Sequence, residues 1–288
     1  MKKLLITYIL TCLLALTAFA QRTEVGVFAG GSYYLGDLNP DKQFGNTSPA
    51  FGLVYRYNLS TRWALKMNGI YGTLRGDDAS SSGWNKQRNL SFRSHILDFS
   101  GQIELNFFPY FTGSSKYNFS PYIFTGFSIF SFNPKAKYKG EWVELQPLGT
   151  EGQGTTAYPG RKTYGLTQLA FPFGVGFKIS VSKHVCLGLE WSYRKTFTDY
   201  IDDVSTTYPD PVQLAAEKGE LTAALSNRSI DIPGEPPIEA GMQRGNANTK
   251  DWYSFAGVTL TIKINSSKEK GCRDYQKKRQ YDEFFMGI

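Results

Sequence analysis

Between Leu97 and Phe107 apolar and polar residues alternate without a break: Leu97, Phe99, Gly101, Ile103, Leu105 and Phe107 are separated by Asp98, Ser100, Gln102, Glu104 and Asn106. A period of two is the pleat of a strand, which sends successive side chains to opposite faces. Strands of soluble sheets usually run about 5–6 residues, whereas a tilted strand crossing a bilayer needs about 9–11. A long strand of an antiparallel sandwich would alternate in the same way, so this segment alone leaves both open.

The pattern recurs and predicts eight strands, at about 24–34, 50–58, 62–74, 92–108, 120–132, 168–181, 185–197 and 251–264. In the third, Trp63, Leu65, Met67, Gly69 and Tyr71 oppose Ala64, Lys66, Asn68 and Gly72. In the seventh, Val185, Leu187, Leu189, Trp191 and Tyr193 oppose Cys186, Gly188, Glu190, Ser192 and Arg194. The fifth, "PYIFTGFSIFSF", is apolar on both faces, and its sides cannot be assigned. Pro172 falls mid-strand on the inner side. A closed sheet offers it no free edge, so a bulge is expected there.

The connections alternate in length. Those at 58–62, 109–119 and 182–184 are short, while 35–49, 75–91, 133–167 and 198–250 are long. A sandwich has no reason to alternate so; outer-membrane barrels have short periplasmic turns and long extracellular loops. The expected fold is therefore all-β, an eight-stranded antiparallel transmembrane β-barrel in the outer membrane with both termini in the periplasm. Trp63 and Tyr71 at opposite ends of one lipid-facing row, with Phe107 and Tyr110 closing another strand, fit interfacial aromatic girdles.

By parity the interior holds Glu24, Asp98, Glu104 and Glu190 with Arg56, Lys66, Lys178, Arg194 and Lys263. An eight-stranded barrel has room only for side chains. Lone charges there would carry a large desolvation cost, so they are expected to pair, plug the lumen and leave a closed scaffold.

The N-terminus, "MKKLLITYILTCLLALTAFAQ", combines Lys2 and Lys3, an apolar run from Leu4 to Leu16 and the small-residue end Ala18-Phe19-Ala20. It reads as a secretory leader over 1–20, followed by the barrel over 21–265 and a periplasmic tail over 266–288. Cys12 lies inside the apolar run, which argues against a lipoprotein. After the leader no run approaches the roughly 20 residues of a spanning helix, so a membrane crossing has to use strands. The chain of 288 residues carries a formal charge of +7 with no nucleic-acid motif beside it. Its mean hydropathy is on the polar side, as expected when apolar residues hide in alternation.

Little else in the sequence suggests chemistry. Some lipid-modifying barrels pair a His with a Ser two residues on; after His95 that position is Leu97, so catalysis is not expected. His184 sits in a short turn. Cys186 and Cys272 show no zinc spacing, and a disulfide between a strand and a polar tail is not favoured. The run "FTDYIDDVSTTYPD" holds Asp199, Asp202, Asp203 and Asp210 but lacks the glycine and terminal Glu of a calcium loop; it reads as a solvated loop. "EPP" near Glu235 and "QRGNANTK" read as flexible loop, and "DPVQLAAEKGELTAALS" as a short helix on the outer surface. The tail is basic, with six basic and two acidic residues from Lys268 to Arg279. No enzyme activity, cofactor, metal, small-molecule substrate or nucleic-acid partner is expected.

The stretches "GGSYYLGDLNP", "PAFGLVYRYNLS", "GDDA", "RNLSFRS", "FNPKAKY", "ELQPLGTEGQG", "GLTQLAFPFGVGFK", "RKTFTDYIDDVSTTY" and "NTKDWY" resemble the PorG-like outer-membrane β-barrel family of the type IX secretion system. The similarity runs from about Glu24 to Ile264. It implies a non-enzymatic barrel that ties a periplasmic ring, made of a PorK-like lipoprotein and a PorN-like protein, to the outer membrane and its lipid. The alternative is a generic structural or adhesive small outer-membrane barrel. On the ring-anchoring view the contact is expected on the turn "PYFTGSSKYNF", through Tyr110, Phe111, Lys116 and Tyr117, because aromatic residues dominate interface energetics.

Overall fold

The computed structural model describes residues 23–40, 44–80, 83–234 and 236–264. The segments expected as a leader (1–20) and a tail (266–288) lie outside the described residues. Nine strands follow in order: β1 (Thr23–Leu35), β2 (Ser48–Asn58), β3 (Trp63–Asp77), β4 (Ser91–Asn106), β5 (Phe119–Tyr138), β6 (Glu141–Glu144), β7 (Thr167–Ser180), β8 (Val185–Thr196) and β9 (Trp252–Lys263). Three short helices lie in the long connections: α1 (Trp84–Arg88), α2 (Pro211–Lys218) and α3 (Glu220–Ser226).

Eight strands close a barrel. Each pairs antiparallel with its neighbour in sequence, from β1–β2 through β4–β5, β5–β7 and β8–β9, and β9 returns to pair with β1. The ninth strand, β6, is a short hairpin partner on the projecting end of β5. The sequence pattern did not single it out. Lys139 (φ 47°) and Gly140 (φ 94°) make its turn; two successive positive φ values are what a tight hairpin needs to match strand twist. Barrel strands run 11 to 20 residues, and all but the shortest exceed the roughly 9–11 of a bilayer crossing, so most project beyond an apolar belt.

Inside and outside alternate with the pleat. In β4 the burial pattern switches at every residue from His95 to Gln102. Phe51, Leu53, Met67, Phe99, Phe127, Leu169, Val175, Phe177 and Leu189 all face outward and are exposed. The sides of β5 are settled too: Tyr122, Phe124, Phe130 and Phe132 point inward, and Ile123, Phe127 and Ile129 outward. Glycine across the ladder makes room for these rings. A Cβ on Gly176 would lie 2.5 Å from the Tyr122 ring, and one on Gly174 would lie 2.7 Å from Phe124.

Pro172 does not sit in a bulge. The β5–β7 pairing keeps one register on either side of it, Thr125↔Phe173 and Ser128↔Ala170, and loses only the rungs between. The β7–β8 ladder runs through Pro172↔Arg194 unbroken. The missing N–H is absorbed by skipping rungs rather than by inserting a residue, and the Thr125 hydroxyl donates to the Pro172 carbonyl at 3.2 Å.

All the short connections lie at one end and all the long ones at the other. Among the described residues no helix is long and apolar enough to cross a membrane.

Candidate functional site: the lumen and its two closures

The middle of the barrel is filled by a six-member ion network. Arg56 donates from Nη1 to Glu24 at 2.9 Å and from Nε to Glu104 at 3.0 Å. Lys178 donates to Glu104 at 2.8 Å, and Lys66 to Glu190 at 2.8 Å. Lys66 also lies 3.2 Å from Glu104, and Arg56 Nη2 lies 3.7 Å from Glu190. The Tyr122 hydroxyl donates to Glu190 at 2.6 Å. Lys66 sits 3.9 Å from the centroid of the Phe124 ring, and Lys178 sits 4.7 Å from that of Tyr122. Three carboxylates thus meet three cations, with no side chain more than 7 % exposed. A charge stripped of water is tolerable only when paired and hydrogen-bonded, and this set is neutral as a whole.

Toward the long-loop end, Asp98 accepts from the Tyr253 hydroxyl at 2.7 Å and lies 3.6 Å from Arg194. Lys263 faces Glu24 across the β1–β9 ladder. It lies at the opposite mouth, 4.3 Å from the centroid of the Phe111 ring and 3.5 Å from the Thr112 carbonyl.

The short-loop end is closed by the connection 107–118, which turns back into the barrel. Tyr110 and Thr112 are buried and share a hydrogen bond of 3.1 Å. The Thr112 hydroxyl then donates to Glu24 at 2.6 Å, tying the turn to the ion network. Lys178 stands 5.1 Å from the centroid of the Tyr110 ring. This corrects the expected partner surface. Tyr110 is fully buried and is neither a membrane-girdle residue nor available to a partner, because its hydroxyl and ring are used inside. Phe111 is half-buried under Lys263, whereas Lys116 and Tyr117 remain exposed.

The long loops close the other end. Apolar packing runs from Phe28, Val54 and Ile70 in the lumen to Leu38, Leu90, Ile201 and Val204 in the loops. Tyr164 stacks on Phe132 and on Tyr200, with centroids 6.2 and 4.6 Å apart. The helical stretch supplies α2 and α3. Asp210 caps α2 by accepting the N–H groups of Val212 and Gln213, each at 2.9 Å. Leu214 and Leu225 turn inward, and Leu221 stays exposed.

The acidic run is not a solvated loop. Asp199, Asp202 and Asp203 are buried at the centre of this cap. Glu151 accepts from Ser205 N at 2.9 Å, Thr206 Oγ1 at 2.7 Å and Arg244 Nη1 at 3.0 Å. Arg244, from the stretch expected to be flexible, also donates to the Ser226 carbonyl at 3.1 Å. Arg88 holds Asp78 through two bonds of 2.7 and 2.8 Å and reaches the carbonyls of Asp37 and Arg244. Tyr164 donates to Asp203 at 2.6 Å, and Thr150 also donates to Asp203.

Burial pushes the Asp203 carboxyl up to about 6 and that of Asp199 to about 7. Burial, with the charge of Asp251, raises Asp202 well above the ordinary range, and burial, with the charge of Asp199, does the same for Asp251. Their oxygens lie 2.6 and 2.8 Å from the Tyr34 hydroxyl. One hydroxyl has one proton, so both contacts are hydrogen bonds only when one of the two carboxyls is itself protonated. Among the described residues no group of three or more His, Cys, Asp or Glu is arranged to hold a metal ion.

His95 faces outward near the long-loop rim. Its Nδ1 lies 2.9 Å from the Tyr71 hydroxyl and 3.2 Å from the Thr73 hydroxyl. Cys186 is a free thiol buried in the lumen.

A family of unknown function, DUF6089, matches residues 2–218. The chain belongs to this family. No curated protein matches it. Among solved structures, the chain is similar to the attachment invasion locus protein Ail of Yersinia pestis in complex with the heparin analogue sucrose octasulfate. That match has 7 % identity and a TM-score of 0.40, covering 83 % of this chain and 96 % of Ail. Neisserial surface protein A is similar at 8 % identity and a TM-score of 0.40, covering 84 % of this chain and 96 % of its own. OprG, an outer membrane protein from Pseudomonas aeruginosa, is similar at 9 % identity and a TM-score of 0.38, with coverage of 84 % and 96 %. Likenesses this loose say nothing about activity; the barrel itself stands on its own strand pairing.

Proposed function

We propose that this member of the family is a small outer-membrane barrel with a sealed lumen, acting as a non-enzymatic structural or adhesive scaffold through the surfaces at its two ends. One observation carries the proposal: the barrel is inside out. Its outward belt is apolar and exposed, while its interior is a neutral set of paired charges. Exposing apolar area to water costs about 25 cal/mol per Å², a penalty that lipid removes. A filled lumen with both mouths closed supports a role at the surfaces rather than in transport. The test is fractionation of cells expressing the protein, followed by electrophoresis of boiled and unboiled samples. Outer-membrane recovery with anomalous migration until boiling supports the proposal; recovery as a soluble protein with coincident migration overturns it.

Ring anchoring in type IX secretion is a finer proposal, resting on the sequence resemblance. The exposed Lys116 and Tyr117 at the short-turn end are the residues left to meet a PorK-like lipoprotein or a PorN-like partner. Replacing both with Gly and Ser leaves Tyr110 and Thr112 in place. Loss of co-purification with the ring lipoprotein and of cargo secretion supports anchoring; if both persist in this variant and in a deletion of 266–288, the general scaffold is the better account.

A further inference from the structure

Three cations stand side by side on the outer face of the barrel at its long-loop rim. Arg75 of β3 is directly opposite Arg93 of β4, and Arg93 is directly opposite Lys135 of β5. Like charges at facing positions of neighbouring strands destabilise a sheet. The compensation is partial: Glu144 of β6 accepts from Lys135 at 2.8 Å and from Asn133 at 3.0 Å. Asp77, one outward position beyond Arg75, accepts the Ala79 N–H at 2.8 Å. Arg93 Nε is buried and has no hydrogen-bond partner among the described residues.

Around Arg93 the surface is concave. Arg93, His95, Lys135 and Trp142 line a cavity of about 190 Å³, with the Arg93 guanidinium 5.6 Å from the centroid of the Trp142 ring. The space suits a phosphoryl group and its linking atoms.

The height of the site selects the ligand. Below the cation row comes the outward rung Thr73–His95–Asn133, then Tyr71–Leu97–Ser131, and then the lipid-facing Phe99 and Ile129. Arg93 is four residues from Leu97, roughly 13 Å along the strand, and less in height once a barrel tilt of about 35–45° is taken. That is headgroup depth for side chains as long as arginine and lysine, which reach back toward the interface.

We propose that Arg93 and Lys135, flanked by Arg75 and backed by Trp142, form a binding site for the phosphorylated headgroup of an outer-leaflet lipid. The inference rests on the outer-membrane placement proposed above. A phosphate bridging the two cations relieves their repulsion; guanidinium binds phosphate oxygens in pairs.

The test uses the full chain in phosphatidylcholine nanodiscs doped with phosphorylated lipid A or its dephosphorylated form, with retained lipid read by native mass spectrometry. The wild type is expected to retain the phosphorylated form alone. Arg93→Gln with Lys135→Gln is expected to retain about tenfold less. Lys195→Gln, a cation on β8 at the same end beside Trp252, is expected to retain as much as the wild type. Equal retention by the double variant, or of the dephosphorylated lipid, overturns the proposal. Displacement by an equal concentration of inorganic phosphate also overturns it, by making the site one for free anions. If the double variant loses its heat-modifiable migration, Lys135→Gln alone carries the comparison, with partial loss expected and none contradicting. Failure of the wild type to enter nanodiscs is a different result, which strikes the membrane placement itself.

Discussion

Glu104 is the residue on which the sealed lumen should depend most. Its carboxylate lies within 3.2 Å of Arg56, Lys66 and Lys178, and neither it nor these partners are exposed. Glu104→Gln keeps the volume and removes one charge. Arg56 still has Glu24, and Lys66 still has Glu190, but Lys178 is left facing the Tyr110 and Tyr122 rings with no other carboxylate among the described residues in an ion pair with it. Removing one partner of a buried pair costs about 3–5 kcal/mol, and the orphaned Lys178 places this substitution in that range. Lys178→Met in the same background removes the orphan and restores neutrality, so the double variant should be less destabilised than the sum of the singles by about 1–3 kcal/mol. The assay is reversible urea unfolding in lipid vesicles, followed by tryptophan fluorescence. A Glu104→Gln cost below about 1 kcal/mol, or additivity of the two changes, would refute the claim that paired charge holds the lumen.

Other outcomes follow from the two closures. Asp199 and Asp203 hold protons in the folded cap to about 7 and about 6, whereas an unfolded Asp ionises near about 3.9. The folded cap therefore binds more protons across that window. The stability this gives is complete below about pH 4 and is lost as pH rises through about 6–7; proteolysis within 197–251 should be slower at about pH 5 than at about pH 8. Asp202→Asn removes one of the two carboxyls around Tyr34 and should protect the cap at the higher pH, so faster cleavage there would count against the shared-proton arrangement. Tyr110→Ala should open the short-turn mouth and raise maleimide labelling of Cys186, read on its own peptide, by at least about tenfold if the thiol lies behind the plug; unchanged labelling would mean that Tyr110 does not guard the lumen. Gly176→Ala should displace the Tyr122 ring and weaken its bond to Glu190, lowering the unfolding midpoint, and an unchanged midpoint would contradict the close packing.

How much of this was legible depended on the range of the interaction. Crossing strands announce themselves because the pleat imposes a two-residue period, and β4 carries it almost end to end. Parity alone put Glu24, Arg56, Lys66, Glu104, Lys178 and Glu190 on one side, though not which would touch. β5 defeated the pattern because its lumen face is aromatic where glycines across the ladder make room. The cap is hidden from the sequence because its residues are locally polar and their partners are remote: Tyr34 meets Asp202 across 168 positions, and Arg244 meets Glu151 across 93. The burial of Tyr110 is hidden for a related reason, since a turn's sequence does not tell whether it hangs below the barrel or folds back to bond a network 88 positions away through Thr112 and Glu24.

Single-channel recording from the purified barrel in planar bilayers tests the sealed scaffold most directly. With the ion network filling the middle and Tyr110 and the acidic cap closing the two ends, insertion should give a quiet baseline, and the Tyr110→Ala variant combined with Glu104→Gln should be the one to leak. Steady, uniform conductance steps from the unaltered protein would contradict the account.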